Sequence, residues 1–157
     1  MWFRRRKPDF TDGVIDLIPL DLYPPEPEMG FGMNYDYMIV EHGQRKEAGR
    51  ISLRLGESPC VYYFGHIGYH VDPPFRGHHY AQRACELLRP LIRFYEKESV
   101  VITCDPDNWP SRKTCENLGC TMERIVKVPM TIRSRWEISE VKCRYIWRMD
   151  SRLPIDD

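Results

Sequence analysis

The sequence predicts an α+β fold, a single layer of mostly antiparallel sheet with helices on both faces, and three observations predict it. Short runs rich in β-branched and aromatic residues open and close the chain. Amphipathic helical spacing is confined to two segments in its middle, and each follows a strand pattern directly. A chain of 157 residues is the size of one ordinary domain, 1–157, large enough to bury about 68–70% of its unfolded surface.

Taken in order, Val14 to Ile18 is a short apolar run. A proline-rich connection follows, Pro19 to Gly32, in which Pro19, Pro24, Pro25 and Pro27 exclude a helix. Tyr35 to Glu41 and Ala48 to Leu55 read as strands of a hairpin around the polar turn His42 to Glu47. Tyr62 to Val71 reads as the next strand, with Gly65 and Gly68 leaving room for a bulge or a close ligand. From His78 to about Lys97 the apolar residues Tyr80, Ala81, Ala84, Leu87, Leu88, Leu91, Ile92 and Tyr95 keep helical spacing, and Pro90 predicts a kink or an early end. Val100 to Cys104 is a strand, Asp105 to Pro110 a loop, and Ser111 to Leu118 a short helix closed by Gly119. Thr121 to Val128 and Val141 to Met149 are the closing strands, around a loop containing Pro129.

Composition narrows the function classes. Hydrophobic residues at 42% and charged residues at 29% exclude a disordered chain. No apolar run reaches the roughly 18–20 residues of a membrane span, and no membrane partner is expected. Twenty-three basic and 23 acidic residues cancel, so nucleic acid is not expected as a partner, and the cluster Arg4 to Lys7 within residues 1–12 reads as a basic, solvated tail. Pro8, Asp9 and Asp12 stand where a signal peptide would need an apolar stretch, which makes the cytoplasm the expected location. Cys60, Cys85, Cys104, Cys115, Cys120 and Cys143 contain no Cys-x-x-Cys pair and suit reduced, mostly buried thiols.

The most informative segment is Gly65 to Ala81, where a strand runs through a basic, glycine-containing turn into the long helix. A helix start carries backbone N–H groups without partners and about half a positive charge, which together make an anion site. Arg76 adds a fork of donors, and Gly77 has no side chain to hold a phosphate away. His66 and His70 share one side of the strand but stand roughly 13 Å apart at about 3.3 Å per residue, too far to ligate one ion. No metal is expected.

Arg76-Gly77-His78-His79-Tyr80-Ala81, preceded by a strand ending in Val71 and by Pro73, resembles the acetyl-CoA signature of the GNAT superfamily of N-acetyltransferases, Gln/Arg-x-x-Gly-x-Gly/Ala. His79 stands where the signature has its central glycine; since a helix start needs no positive φ, an ordinary backbone is expected there. Asp107 to Cys120 resembles a second family segment, Asn-x-x-Ala/Ser followed by a short helix and Leu-Gly, with Asn108 and Ser111 at the matching positions. The two matches cover about residues 65–120. The resemblance implies a GNAT fold, acetyl-CoA as co-substrate and direct acetyl transfer to an amine. It implies phosphate contacts at Arg76, Gly77, His78, His79, Tyr80 and Ala81, pantetheine contacts at Asn108 and Ser111, and an oxyanion donor on the backbone near Val71. Asn108 reads equally as a helix cap. The helices that follow the first strand in the family are reduced here or replaced by the proline-rich loop.

The reaction needs a neutral amine, and a primary amine has a pKa near ~10.4, so a base or a water chain must take a proton. His66, Glu41 and water-mediated transfer are the open choices. Many relatives place a tyrosine acid where this chain has Cys115, which leaves Cys115 as a weak donor or plain packing and Tyr145 as another candidate acid. The acceptor is a small-molecule amine or a protein amino group, and a homodimer is an open arrangement. An acyl-CoA-binding regulatory module is the alternative reading, and acetylation of tRNA or a ribosomal protein, which would use the basic start, is a third.

Overall fold

Alternating apolar residues set the strands, and the end of each is fixed by a turn residue. The computed structural model describes residues 7–23 and 32–150. Its strands are β1 (Phe10–Thr11), β2 (Ile15–Tyr23), β3 (Asn34–Glu41), β4 (Glu47–Arg54), β5 (Ile67–Val71), β6 (Ser99–Cys104), β7 (Thr121–Lys127) and β8 (Val141–Arg148). They form one sheet in the order β1-β2-β3-β4-β5-β6-β8-β7, antiparallel everywhere except between β5 and β6.

Among the described residues four α-helices punctuate the sheet: α1 (Pro59–Phe64), α2 (Tyr80–Phe94), α3 (Trp109–Asn117) and α4 (Met130–Arg133). The strand parity shows which face each covers. On β6, Val100, Ile102 and Cys104 belong to the main core with Ala84, Cys85 and Leu88 of α2 and Cys115 of α3, whereas Thr103 Oγ1 donates to Tyr63 O of α1 at 2.9 Å. On β8, Cys143, Tyr145 and Trp147 join the same core, while Arg144 points the other way, donating from Nη1 to Tyr62 O and stacking its guanidinium 3.6 Å from the Tyr62 ring. Hence α2 and α3 cover one face. On the other, α1 and α4 build a smaller cluster from Cys60, Val128 and Ile132.

Several element readings change. Tyr62 to Phe64 is helical: Ser58 Oγ caps the helix by accepting from Val61 N at 3.1 Å, Pro59 suits a first turn, and Gly65, at φ 80°, ends it. The cap and the glycine outweigh the β-propensity of the aromatic run. Pro19 lies inside β2 at a register shift, the irregular site where a strand accepts proline, so the connection to β3 begins after Tyr23. The proline-rich segment beyond it, and with it the reading of a loop in place of helices, lies outside the described residues, as does Arg4–Arg6 of the basic tail.

The long helix starts at Tyr80 instead of His78 and runs through Pro90 to Phe94; the early end does not occur, because its buried stripe Ala84, Cys85, Leu88 and Ile92 continues past the proline. The second helix starts earlier than expected, at Trp109, with Pro110 in its first turn. All six cysteines are free, and five are buried. Among the described residues, no helix is long and apolar enough to cross a membrane.

Candidate active site

The parallel junction of β5 and β6 is where the sheet opens. The two strands pair only at Ile67↔Ile102, with a bridge at Gly65↔Ile102, and then separate toward their C-terminal ends. Crevices at the C-terminal ends of parallel strands are where open sheets bind ligands. On its other side β5 is fully paired with β4, and the bonds that flank it, Arg54 N to His66 O and Asp72 N to Ala48 O, fall on even-numbered residues. By the two-residue alternation of an antiparallel ladder, Tyr69 and Val71 therefore turn their N–H groups into the wedge.

One wall of the wedge mouth is the start of α2. Its N-cap, His79, makes no side-chain capping bond among the described residues, and no acidic residue occupies the first turn, so the orphan N–H groups and dipole face outward. Arg76, Gly77, His78 and His79 are exposed around it, and Arg76 Nε donates to Val71 O at 2.8 Å, tying the turn to the end of β5. Gly77 has φ 89°, so glycine is required there by its backbone, while the space around it is open. His79 also takes a left-handed backbone, φ 60° and ψ 27°, which corrects the expectation of an ordinary conformation at the signature's central position. A residue with a Cβ costs roughly 1–2 kcal/mol in that region, and a glycine would not. Ala81 is half-buried in the first turn.

The opposite wall is the start of α3. Asn108 is its N-cap, with Oδ1 accepting from Ser111 N at 3.2 Å, so the capping alternative is realised. Ser111 is buried, and its hydroxyl lies 2.8 Å from Tyr69 Oη. Tyr69 thus links β5 to α3 beneath the wedge. Its phenol is pushed well above the usual range by burial, and it also contacts the Cys115 thiol. Sequence reading placed Tyr69 on the same side as Val71 without giving it a role; its position between Gly68 and His70 in the signature strand is the only signal available.

The structure scatters the candidate catalytic residues. Tyr80 turns into the core and donates from Oη to Glu41 Oε2 at 2.6 Å, so Glu41 buttresses the α2 start from two strands away. His66 lies at the closed end of the wedge, roughly 16 Å of strand from Val71. It is 6% exposed, Nδ1 accepts from Val101 N at 2.9 Å, and Nε2 lies 2.7 Å from Glu57 Oε1. Burial holds this imidazole below its ordinary range, with Glu57 opposing, so it is a neutral ring donating to a carboxylate. As placed, the ring has no free lone pair for a substrate proton.

Cys115 is fully buried, and a hydrogen bond with Cys120, together with burial, pushes its thiol far up. Tyr145 Oη accepts from Arg112 Nε at 3.0 Å, and burial raises the phenol despite that cation. The structure therefore brings together Val71, Arg76, Gly77, the start of α2 and, across the wedge, Asn108 and Ser111; Glu41 reaches this group only as the partner of Tyr80 Oη on the core side of α2, and His66 does not reach it. Among the described residues, no group of three His, Cys, Asp or Glu is placed to hold a metal ion.

Known proteins share this fold. Residues 7–121 match the family model described as an acetyltransferase (GNAT) domain. Comparison with curated protein sequences gives no match. Among solved structures, the fold is similar to the microcin C7 self-immunity acetyltransferase MccE in complex with acetyl-CoA and AMP, at 21% identity over 73% of this chain and 61% of that one, TM-score 0.56. It is similar to a ribosomal-protein-S5-alanine acetyltransferase from Vibrio fischeri, at 21% identity over 77% and 64%, TM-score 0.58. It is similar also to the ribosomal L7/L12 α-N-protein acetyltransferase RimL, at 22% identity over 76% and 72%, TM-score 0.55. The chain spans 61% of the first of these proteins and 64% and 72% of the others. Identities at this level establish likeness of fold.

Proposed function

Because the chain belongs to the acetyltransferase (GNAT) family, we propose that it transfers the acetyl group of acetyl-CoA directly to a primary amine. The observation that carries this reading is the uncapped α2 start beside the end of β5 that β6 leaves, where ladder alternation turns the Tyr69 and Val71 N–H groups into the wedge. The pyrophosphate is held by the first-turn N–H groups from Tyr80 to Ala81, by Gly77 and by Arg76, with His78 and His79 at the rim. The pantetheine arm lies in the wedge between β5 and the start of α3, near Asn108 and Ser111. The Val71 and Tyr69 N–H groups are placed to donate to an oxyanion as the thioester carbonyl is attacked.

Attack by the neutral amine forms the C–N bond while the C–S bond breaks; the electron pair leaves on sulfur, and the surplus proton of the new amide nitrogen passes to the departing thiolate or to water. A thiol pKa near ~8.5 lets the thiolate depart with little help, which is compatible with thiol and phenol groups at Cys115 and Tyr145 that hold their protons tightly. Ribosomal-protein acetyltransferases are among the structural relatives, two of those named above included, and this favours a protein amino group over a small-molecule amine as acceptor.

Thermal denaturation with and without acetyl-CoA tests the assignment. At about a hundred times the dissociation constant the folded state gains ~2.7 kcal/mol, so an unchanged melting temperature rejects the co-substrate. Arg76→Ala is expected to weaken the response, and an unaltered shift in that variant places the phosphates elsewhere.

A further inference from the structure

We propose that Cys115 and Cys120 form a redox-active dithiol that hydrogen peroxide closes to a disulfide, and that closure releases the Tyr69 contact beneath the wedge and weakens acetyl-CoA binding. The dithiol stands on the geometry of α3; its effect on the ligand rests on acetyl-CoA binding in the wedge as described above.

The end of α3 brings the two sulfurs together. Leu118 is its C-cap, and Gly119 follows at φ 81°, the left-handed residue that closes a helix. Gly119 N donates to Glu116 O at 3.0 Å and Cys120 N to Cys115 O at 3.0 Å, the paired bonds of a Schellman motif. That motif sets the second residue past the cap against a side chain of the last turn, commonly as an apolar contact, and here both residues are cysteines. The Cys120 bond alone keeps the two Cα atoms within about 7 Å, against the roughly 4.4–6.8 Å that disulfides span. Their thiols are hydrogen-bonded to each other.

Access differs between them. Cys120 is half-buried, whereas Cys115 and the other four cysteines are buried, so a dissolved oxidant meets Cys120 first. The Cys120 thiolate attacks one peroxide oxygen: the S–O bond forms, the O–O bond breaks, and hydroxide leaves and takes up the thiol's proton as water, with the sulfur now a sulfenic acid. The Cys115 sulfur then attacks the Cys120 sulfur. The S–S bond forms, the S–O bond breaks, and the departing hydroxide takes the Cys115 proton. Two thiols lose two electrons, and the peroxide is reduced to two waters. A dithiol reductant reverses the step by exchange.

Closure reaches the wedge through one contact. The Cys115 thiol is hydrogen-bonded to Tyr69, whose Oη lies 2.8 Å from Ser111 Oγ, so this sulfur braces the link between β5 and α3. A disulfide removes the thiol's proton and turns the sulfur toward Cys120. The strand that carries the Tyr69 and Val71 N–H groups is then held less firmly.

The experiment treats the purified chain with hydrogen peroxide, removes the oxidant, alkylates after unfolding and weighs the tryptic peptide 114–124, which lies between Lys113 and Ile125 and holds both cysteines. The wild-type peptide is expected to be lighter by two hydrogens and unalkylated, and to carry two alkylated thiols after dithiol reduction. In Cys120→Ser, Cys115 is expected to stay a thiol. Acetyl-CoA melting shifts are measured on the same samples. Oxidised wild type is expected to bind about 2- to 10-fold more weakly than reduced wild type, the range that loss of one hydrogen bond gives, while peroxide leaves the shift of Cys120→Ser unchanged. Both thiols alkylated after peroxide, or Cys120 carried on to a sulfinic acid with Cys115 alkylated, overturns the dithiol. A disulfide that leaves the melting shift intact overturns the coupling to the wedge. Absence of any shift in the reduced protein overturns acetyl-CoA binding and the coupling with it, while the peptide mass still decides the dithiol.

Discussion

Protonating His66 would set an Nδ1–H against the Val101 N–H that this atom now accepts, so the folded state resists the charge. The consequence is a pH dependence with a definite sign. A histidine whose folded pKa lies below its unfolded value binds fewer protons folded than unfolded, so stability falls as pH drops below about 6.5 and the loss ends at the lower, folded pKa. Urea denaturation between pH 7.5 and 5 is expected to show wild type losing up to about 1.4 kcal/mol per pH unit relative to His66→Gln. Parallel pH dependence in the two proteins would reject it. The carboxylates Asp16 and Glu57, raised by burial but held down on balance by their hydrogen bonds with His42 and His66, contribute in a lower window: each adds stability present above about 4 and lost as pH falls through its depressed folded value. His66 was legible as a strand histidine and a candidate base. Its commitment to Val101 and Glu57 was not, because neither partner is near it in a sequence pattern: one lies 35 residues on, the other across a helix that read as strand.

Helix and strand ends carry the site, and they were legible to different degrees. Arg76-Gly77 before a helix, and Asn108 before a shorter one, announce themselves because caps and turns are local chemistry. Ser58-Pro59 carried the same kind of signal for α1, yet the aromatic run that follows reads as strand. Close approach of β4 to β5 is another element property that residue type alone conceals. A Cβ on Gly49 would stand 2.3 Å from His70 O and 3.0 Å from Val71 Cα, both backbone atoms that cannot step aside. Gly49→Ala is therefore expected to destabilise by about 1–3 kcal/mol and to blunt the acetyl-CoA melting response, since it displaces the strand that lines the wedge. Chemical denaturation checks the first, and a wild-type midpoint would show that β4 yields without cost.

At the scale of the molecule, the sheet is two antiparallel blocks joined by one short parallel seam, β1–β5 on one side and β6, β8 and β7 on the other. Much of the cohesion between them comes from the shared core beneath, in which Leu88, Ile102, Cys115 and Trp147 are almost fully buried. A ligand in the wedge would replace the missing ladder. Amide hydrogen exchange is expected to slow at Tyr69 and Val71 on adding acetyl-CoA, with little change at Ile67, which is already paired; equal exchange at all three would remove those amides from the site. The chain's own pattern set the strand count of the hairpin and closing pair, the long amphipathic helix and the two motifs around it, because periodicity and caps act over a few residues. Folding alone decided the face on which each motif residue lies, the seam that opens between β5 and β6, the burial of His66, and the meeting of Tyr69 with Ser111. Those depend on register and packing between segments tens of residues apart, which a local pattern does not encode.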